Sequence, residues 1–380
     1  MTRRGAALFA AALTALLCGL STGVQVYYFI ALCFSLALGY GLVCVSVLRM
    51  TLHVKTSLQP LSVHRGESAM LTLYVKNNCP LPICPARILV RMADLENLRT
   101  LPLHYKKENL LRMEMPADHV GAFLCRVAQV EVRDLFGLFR VKKTPEDSHL
   151  LLSLPKPFQV EDITFAPGDT GRAALSRTQE DYTSPEDVRV YIPGDAMKRI
   201  HWKLSSRKGE LLVRRYETPA PPDTLILVDQ RAPKGQHGEE RAALRDAVCE
   251  TAAAVAAMQL KDQSPVRAPF YGAHANEFAA DNARNLPLLQ EMLALQPFDG
   301  QEDFARTLNL ELRRMGRTGA AIIITTHLDP RVVDAIAQMR RMGPNIRVYL
   351  VTFDPESESL QPLVGQLQHH MVEVCYVTPA

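Results

Sequence analysis

The sequence predicts a membrane-anchored multidomain protein with an N-terminal helix hairpin, a small β-sandwich and a doubly wound α/β domain. Three observations support this fold class. An apolar stretch without charged residues runs from Gly5 to Leu48. It is followed by a region of period-two alternation, and then by a region in which strands alternate with helical segments. With 380 residues, the chain is long enough for two soluble domains in addition to a membrane segment.

The apolar stretch is about twice as long as one crossing requires, since a helix rises about 1.5 Å per residue. Ser21-Thr22-Gly23 is its only polar, helix-weakening break, so we predict transmembrane helices at about 6–20 and 24–48. A cleaved signal peptide is the alternative, because Arg3 and Arg4 precede the first apolar segment. A second apolar segment follows at once and would stop transfer, which favours the hairpin.

Basic residues flank the hairpin and predict its orientation. Arg3 and Arg4 precede the first helix, and Arg49, His53 and Lys55 follow the second. Because positive residues stay inside, both ends are expected in the cytoplasm. We therefore expect a multi-pass protein of the plasma membrane with cytoplasmic soluble domains. The eight cysteines form no disulfide framework, which agrees with a reducing compartment.

Residues 51–156 have the pattern of a β-sandwich-like domain. Runs that begin at Leu71, Ile88 and Val127 alternate between apolar and polar side chains, and turn signals separate them. Short strands at this spacing are typical of small sandwiches.

Residues 157–222 are less regular and end in a stiff proline-rich linker. Two strands are predicted there, at 188–192 and 211–216. Between them, Asp195 is placed to cap a short helix at 197–204.

Residues 223–380 have the alternation of a doubly wound α/β domain. The run at 224–228 is a continuous apolar strand of the kind that is buried on both faces. Further strands are predicted at 266–272, 320–326, 346–352 and 371–377, with helices at 239–260, 286–295, 303–315, 330–342 and 362–369. This order predicts a mainly parallel sheet with helices on both faces.

One segment resembles a known family. Arg189-Val-Tyr-Ile-Pro-Gly-Asp195, Arg199-Ile-His-Trp-Lys203 and the strand that ends in Tyr216-Glu217 are similar to the signature of the bacterial domain-of-unknown-function fifty-eight family. Asp-Leu-Phe-Gly-Leu-Phe at 134–139 also resembles a family turn, with Leu135 where proline is usual. The signature residues selected as interaction candidates are Arg189, Gly194, Asp195, Arg199, Trp202, Lys203, Arg207 and Glu217.

The resemblance covers the whole chain in order, and its implications are expectations about architecture and partners. It implies a C-terminal domain similar to the von Willebrand factor A fold. It also implies association with MoxR-type AAA+ ATPases and with membrane proteins that carry transglutaminase-like domains. The expected function is therefore that of a membrane-tethered scaffold or adaptor, not an enzyme, in the assembly or maturation of membrane or envelope complexes.

The metal site of the von Willebrand fold is expected to be degenerate here. A working site has Asp-x-Ser-x-Ser after the first strand, because hydroxyl and carboxylate oxygens hold Mg²⁺. The corresponding stretch begins at Asp229, lacks both serines and places Arg231 beside the cation position. Asp329 could supply one further carboxylate. A Mg²⁺-dependent adhesion module is the alternative function.

The remaining function classes have weaker support. Asp195, His201, Ser205 and Ser206 allow an uncharacterised hydrolase that uses His201 as a third hypothesis, but nothing in the sequence resembles a nucleophile elbow. A net charge of +3 and the absence of a basic aromatic face argue against nucleic-acid binding. No cofactor is implied. For the signature, the expectations are a packing anchor at Trp202 and charged residues that form either an ion network or a docking surface.

Overall fold

The computed structural model describes residues 1–92, 95–158, 185–193, 197–216, 222–235, 237–271, 275–300 and 303–379. Three of the selected signature residues, Gly194, Asp195 and Glu217, lie outside these ranges, as does most of the segment at 157–222. The chain divides into two compact units, Met1–Leu154 and Pro155–Ala380.

The first unit begins with two apolar helices, α1 (Arg3–Thr22) and α2 (Gln25–Thr51). Gly23 ends α1 in the left-handed conformation, with φ at 68°, which glycine adopts without a steric penalty. Both helices are long and apolar enough to cross a membrane. The predicted pair of apolar helices is therefore confirmed.

The last third of α2 belongs to the soluble domain. Cys44 and Leu48 are fully buried in the core of the β-domain, and α2 continues directly into the first strand. The helix from Gln25 to Gly41 is about 25 Å long at about 1.5 Å per residue, close to the hydrocarbon thickness. The unusual length of α2 thus has a physical reason, because its final turns cover the β-domain.

The strands of the first unit are β1 (Leu52–Gln59), β2 (Ser62–His64), β3 (Ser68–Asn77), β4 (Ala86–Met92), β5 (Leu95–Leu101), β6 (Glu108–Pro116), β7 (Gly121–Arg133), β8 (Arg140–Lys143) and β9 (Ser148–Leu154). One sheet has the order β1-β3-β6, and the other has the order β2-β9-β7-β4-β5 with β8 paired to β7. Alternate side chains of both sheets, such as Leu71 and Leu73 of β3 and Ile88 and Val90 of β4, share one buried core. Two sheets around one core are the arrangement of the predicted β-sandwich.

The second unit contains what we call the signature module, the described residues 185–193 and 197–216. It consists of β10 (Pro185–Val190), α3 (Trp202–Lys208) and β11 (Leu212–Tyr216), and its two strands are antiparallel.

The helix predicted at 197–204 is wrong in position. Met197–Arg199 form a single 3₁₀ turn, after which Ile200 bridges to Val213 of β11. This pairing holds the chain extended, so α3 starts only after His201.

The remaining elements are β12 (Asp223–Val228), α4 (Gly238–Lys261), β13 (Val266–Phe270), β14 (Asn276–Ala280), α5 (Leu286–Leu295), α6 (Phe304–Leu312), β15 (Thr318–Thr325), α7 (Pro330–Arg341), β16 (Asn345–Val351), α8 (Gln361–His369) and β17 (Glu373–Val377). The sheet has the order β14-β13-β12-β15-β16-β17. All neighbours are parallel apart from β13 and β14. The predicted mainly parallel α/β sheet is confirmed. Strand β14 was not predicted, because only Phe278 of this edge strand is buried and the sequence shows no alternation there.

The sheet is covered on both faces. Leu225 and Ile323 share one core with residues of α6, α7 and α8. Alternate residues such as Ile226 and Ile322 face the opposite side, where α4 packs against β12 and β15. After β12, the chain forms β13 and β14 on one side of this strand. It then crosses back and forms β15, β16 and β17 on the other side. The carboxyl ends of the adjacent strands β12 and β15 therefore form the switch point of the sheet.

Candidate functional site

Five residues meet at this switch point, and we call them the switch-point cluster: Asp229, Arg231, Thr325, His327 and Asp329. Strands β12 and β15 place them together, because Val228 pairs with Ile324 and the Asp229 amide donates to the Ile324 carbonyl at 2.9 Å. In open α/β sheets, ligands usually bind in the crevice outside these strand ends.

The centre of the cluster is the guanidinium group of Arg231. Its Nε and Nη2 atoms donate to both carboxylate oxygens of Asp229, at 3.0 Å to Oδ1 and 2.7 Å to Oδ2. Its Nη1 donates to Asp329 Oδ2 at 2.6 Å, and Nη2 also reaches the His327 carbonyl at 3.1 Å. The Phe304 ring centroid lies 5.9 Å from the guanidinium carbon, within the range of a cation–π contact.

The Asp229 carboxylate is fully enclosed by hydrogen bonds. Its side chain is 1% exposed. The Thr325 hydroxyl donates to Oδ2 at 2.7 Å, and the backbone amide of Arg231 donates to Oδ1 at 3.1 Å. A buried carboxylate needs such partners, because an uncompensated charge in the interior is strongly unfavourable.

The electrostatics favour the ionised forms of the Arg231–Asp329 pair. Burial acts to lower the pKa of Arg231, but hydrogen bonds to Asp229 and then to Asp329 raise it above its ordinary value. The hydrogen bond from Arg231 lowers the pKa of Asp329, against a smaller opposing effect of burial. Burial also lowers the pKa of His327, which favours the neutral imidazole.

The residues at this site do not fit a divalent cation. A guanidinium group already lies between the two carboxylates that would serve as ligands, and it supplies the positive charge that the metal would bring. Within the described ranges, no group of three or more His, Cys, Asp or Glu side chains could hold a metal ion. Sequence reasoning identified Asp229, Arg231 and Asp329 but missed Thr325 and His327, whose only signal is their position at or just after the end of an apolar strand.

The signature module is held together by hydrogen bonds of two side chains. Ser205 is buried, and its Oγ accepts from the Leu212 amide at 2.9 Å and donates to the His201 carbonyl at 3.1 Å. His201 Nδ1 accepts from the Leu204 amide at 3.2 Å and so caps α3. His201 and Ser205, two of the residues that suggested a hydrolase, are thus engaged with the local backbone.

Trp202 does not have the role that the sequence analysis expected. It is the only tryptophan of the chain, and it is 61% exposed at the start of α3. Its expected role as a packing anchor is therefore wrong. The apolar contacts of this region come instead from Ile200, Leu212 and Val213, which are buried.

The charged signature residues also lie at the surface where their side chains are described. Arg189, Lys203 and Arg207 are exposed. In the part of the chain that the structure describes, neither Lys203 nor Arg207 forms an ion pair, so the expected ion network does not include these two residues. The side chain of Arg199 lies outside the described part.

The comparisons with known proteins identify a family. Residues 187–374 match the family described as "Protein of unknown function DUF58". This match covers the signature module and the α/β sheet, and it confirms the family resemblance found in the sequence. No curated protein matches the chain.

Three solved structures show limited similarity. The CARDB domain of the PF1109 protein from Pyrococcus furiosus, in complex with di-metal ions, is 13% identical and covers 27% of this chain and 90% of that chain, with a TM-score of 0.22. The alkylpurine DNA glycosylase AlkC from Pseudomonas fluorescens, bound to DNA containing an abasic site analog, is 11% identical. The match covers 33% of this chain and 38% of that chain, with a TM-score of 0.20. Cwp6 from Clostridium difficile is 11% identical. The match covers 86% of this chain and 37% of that chain, with a TM-score of 0.20. TM-scores of this size do not indicate a shared fold.

Proposed function

Because residues 187–374 belong to the DUF58 family, we propose that this protein is a membrane-tethered adaptor that acts with a MoxR-type AAA+ ATPase. A membrane protein with a transglutaminase-like domain is the second proposed partner. Both partners are suggested by the family resemblance of the signature. The proposed task is the assembly or maturation of membrane or envelope complexes, with a C-terminal domain of the von Willebrand factor A type as the platform.

The tether is formed by α1 and α2, whose apolar surfaces are mostly exposed. The start of α1 and the end of α2 both contact the β-domain, since the Thr2 amide donates to the Leu138 carbonyl and Leu48 is buried in its core. These contacts at both ends of the hairpin support the proposal that it crosses the membrane twice. The basic residues Arg3, Arg4 and Arg49 lie on the side of the β-domain, which favours a cytoplasmic location for the soluble domains.

The observation that supports the adaptor function most directly is the exposed side chain of Trp202. Tryptophan and arginine are enriched among residues that dominate binding energy at protein interfaces. Four further apolar residues of the signature module are exposed: Val190, Ile192, Met197 and Leu211. Because hydrogen bonds of Ser205 and His201 fix the backbone beneath Trp202, the side chain is presented without a large cost in backbone ordering.

The Mg²⁺-dependent adhesion module has less support. That function requires a cation between Asp229 and Asp329, where the Arg231 guanidinium lies. No observation favours it over the adaptor.

Co-purification of the full chain with the MoxR-type ATPase tests the proposal. Trp202→Ala is expected to lose at least about thirtyfold in affinity, because hot-spot residues contribute about 2 kcal/mol or more. Met342→Ala, which removes a 65% exposed apolar side chain from the end of α7, is the matched control and should bind normally. The emission of Trp202, the single tryptophan, should shift to the blue when a tryptophan-free ATPase is added.

Two results would contradict this function. The first is equal binding of the Trp202→Ala and Met342→Ala variants, which would remove Trp202 from the interface. The second is an absence of binding between the unaltered chain and the ATPase at micromolar concentrations of both. A charge reversal, Arg207→Glu, extends the test, since it should weaken binding while the exposed position leaves the fold intact.

A further inference from the structure

The turn at 134–139 joins the β-domain to the start of α1. The Thr2 amide donates to the Leu138 carbonyl at 2.9 Å, and the Thr2 hydroxyl donates to the Gly137 carbonyl at 2.7 Å. A Cβ atom on Gly5 would overlap the Leu138 carbonyl oxygen, so only glycine permits this approach. Within the turn, the buried Asp134 carboxylate accepts from the Phe139 amide at 2.6 Å.

The same turn contacts α2 at Tyr40 and Gly41. A Cβ atom on Gly41 would lie 2.8 Å from the Phe139 ring, and the Tyr40 ring packs edge-on against Phe136 at 5.8 Å between centroids. Gly5 and Gly41 therefore determine where along the two helices the turn at 134–139 packs. At this position the uncharged stretch of α1 begins and the proposed membrane-crossing part of α2 ends.

A pocket of about 360 Å³ lies beside this turn. Three of its lining residues are arginines, Arg4 of α1, Arg87 of β4 and Arg133 of β7. Glu131 is the single acidic residue among the described residues that line it. Its carboxylate is bound by Arg133 at 2.6 Å and approached by Arg140 at 3.6 Å.

The pocket therefore carries a net positive charge. Arg133 balances Glu131, and Arg4 and Arg87 form no ion pair with any other described residue. Both of these side chains are exposed. Arginine binds phosphate oxygens with a planar set of donors and is always charged, which suits it to a phosphate group.

Apolar side chains border the same pocket. Leu135 and Phe136 are 50% and 53% exposed, and they lie next to the arginines at the base of the hairpin. A soluble phosphate compound gains nothing from such neighbours, whereas a phospholipid places acyl chains directly below its phosphate. Basic pockets beside transmembrane helices on the cytoplasmic side are known binding sites for anionic headgroups.

We propose that this pocket binds the phosphate headgroup of an anionic phospholipid at the surface of the membrane. Arg4 and Arg87 bind the phosphate, Arg133 contributes while it neutralises Glu131, and Leu135 and Phe136 enter the boundary between headgroups and acyl chains. The bound lipid would connect α1 with strands β4 and β7 and so hold the β-domain on the bilayer. This inference rests on the proposed membrane tether, which makes the lipid available at the pocket.

Native mass spectrometry of the detergent-purified full chain tests the inference. Phosphatidylglycerol and phosphatidylcholine with identical acyl chains are added in turn, and the bound lipid is counted. The unaltered chain should retain phosphatidylglycerol preferentially. The double variant Arg4→Gln and Arg87→Gln should lose about thirtyfold in affinity, since each basic residue near an anionic surface contributes about a factor of five.

The matched control is Arg91→Gln, which removes one exposed arginine of β4 that does not line the pocket. It should retain phosphatidylglycerol as the unaltered chain does. Equal retention of the two lipids, or equal loss in the control and the double variant, would overturn the inference. Displacement of the lipid by millimolar inorganic phosphate would identify a soluble phosphate site instead of a lipid site and would overturn it as well.

Alkaline carbonate extraction of membranes separates this inference from the tether on which it rests. Release of the chain into the soluble fraction would contradict both the tether and the lipid site. Retention in the membrane without lipid preference would contradict the lipid site alone.

Discussion

In the switch-point cluster, charged side chains face one another around the buried Asp229 carboxylate, whereas in the signature module they face the solvent beside an exposed tryptophan. Arg231 satisfies two carboxylates and is held by five hydrogen bonds from its guanidinium group. Lys203 and Arg207 form no ion pair within the described ranges, and Trp202 next to Lys203 is 61% exposed. The crevice where α/β sheets usually bind ligands is therefore occupied by internal hydrogen bonds here, whereas the exposed side chains of the signature module form the proposed docking surface.

The contrast between the two regions would be wrong if Arg231 contributed nothing to the stability of the fold. Arg231→Met leaves the buried Asp229 carboxylate without its cation, and such a loss costs about 3–5 kcal/mol. Unfolding in urea, followed by circular dichroism, measures the change. Arg331→Met is the control, because its side chain is 84% exposed and lies 3.6 Å from Asp303. Equal stability of the two variants would show that the Asp229–Arg231 pair is not the structural centre of the cluster.

Within the signature module, removal of the buried Ser205 hydroxyl should lower stability more than removal of the exposed Ser206 hydroxyl. Ser205→Ala leaves the Leu212 amide without an acceptor, which costs about 1–3 kcal/mol. Ser206→Ala, at the exposed neighbouring position, should change stability by less than about 0.5 kcal/mol. Hydrogen exchange of the Leu212 amide should accelerate in the first variant alone. Unchanged exchange in Ser205→Ala would show that another group holds β11 to α3.

The acid stability of the switch-point cluster should depend on Asp329. Arg231 lowers its pKa, so the carboxylate stabilises the fold above the unfolded value of about 3.9, and this contribution is lost as the pH falls through the lowered folded value. Asp329→Asn should therefore flatten the fall in Tm below about pH 5. Asp334→Asn, at an exposed position of α7, should retain the slope of the unaltered chain. A retained slope in Asp329→Asn would contradict the pairing with Arg231.

The smallest effect is expected at Trp202. Because the side chain is 61% exposed, Trp202→Ala should change the free energy of unfolding by less than about 0.5 kcal/mol. Urea unfolding of the full chain, followed by circular dichroism, provides the measurement. A loss of about 3–5 kcal/mol, typical of a buried tryptophan, would restore the packing role and remove the contrast with the switch-point cluster.

Features that depend on local patterns could be predicted from the amino-acid sequence. The apolar helices, the alternating strands of the β-domain and the strand–helix order of the C-terminal sheet all follow from periodicities of a few residues. The signature was also readable, because its residues are close together in the chain. Edge strand β14 escaped prediction, since a strand with one buried side chain has no pattern to detect.

Contacts between distant residues, and the burial of individual side chains, could not be predicted from local patterns. Arg231 and Asp329 are 98 positions apart in the chain, and the adjacency of β12 and β15 brings them within 2.6 Å. Tertiary packing likewise placed Gly5 and Gly41 against one turn of the β-domain and left Trp202 outside the core. Burial depends on how the sheet and helices pack together, so a local pattern does not reveal it. In the sequence, Arg231 is only a charge that opposes metal binding. In the fold, it is the cation that neutralises Asp229 and Asp329.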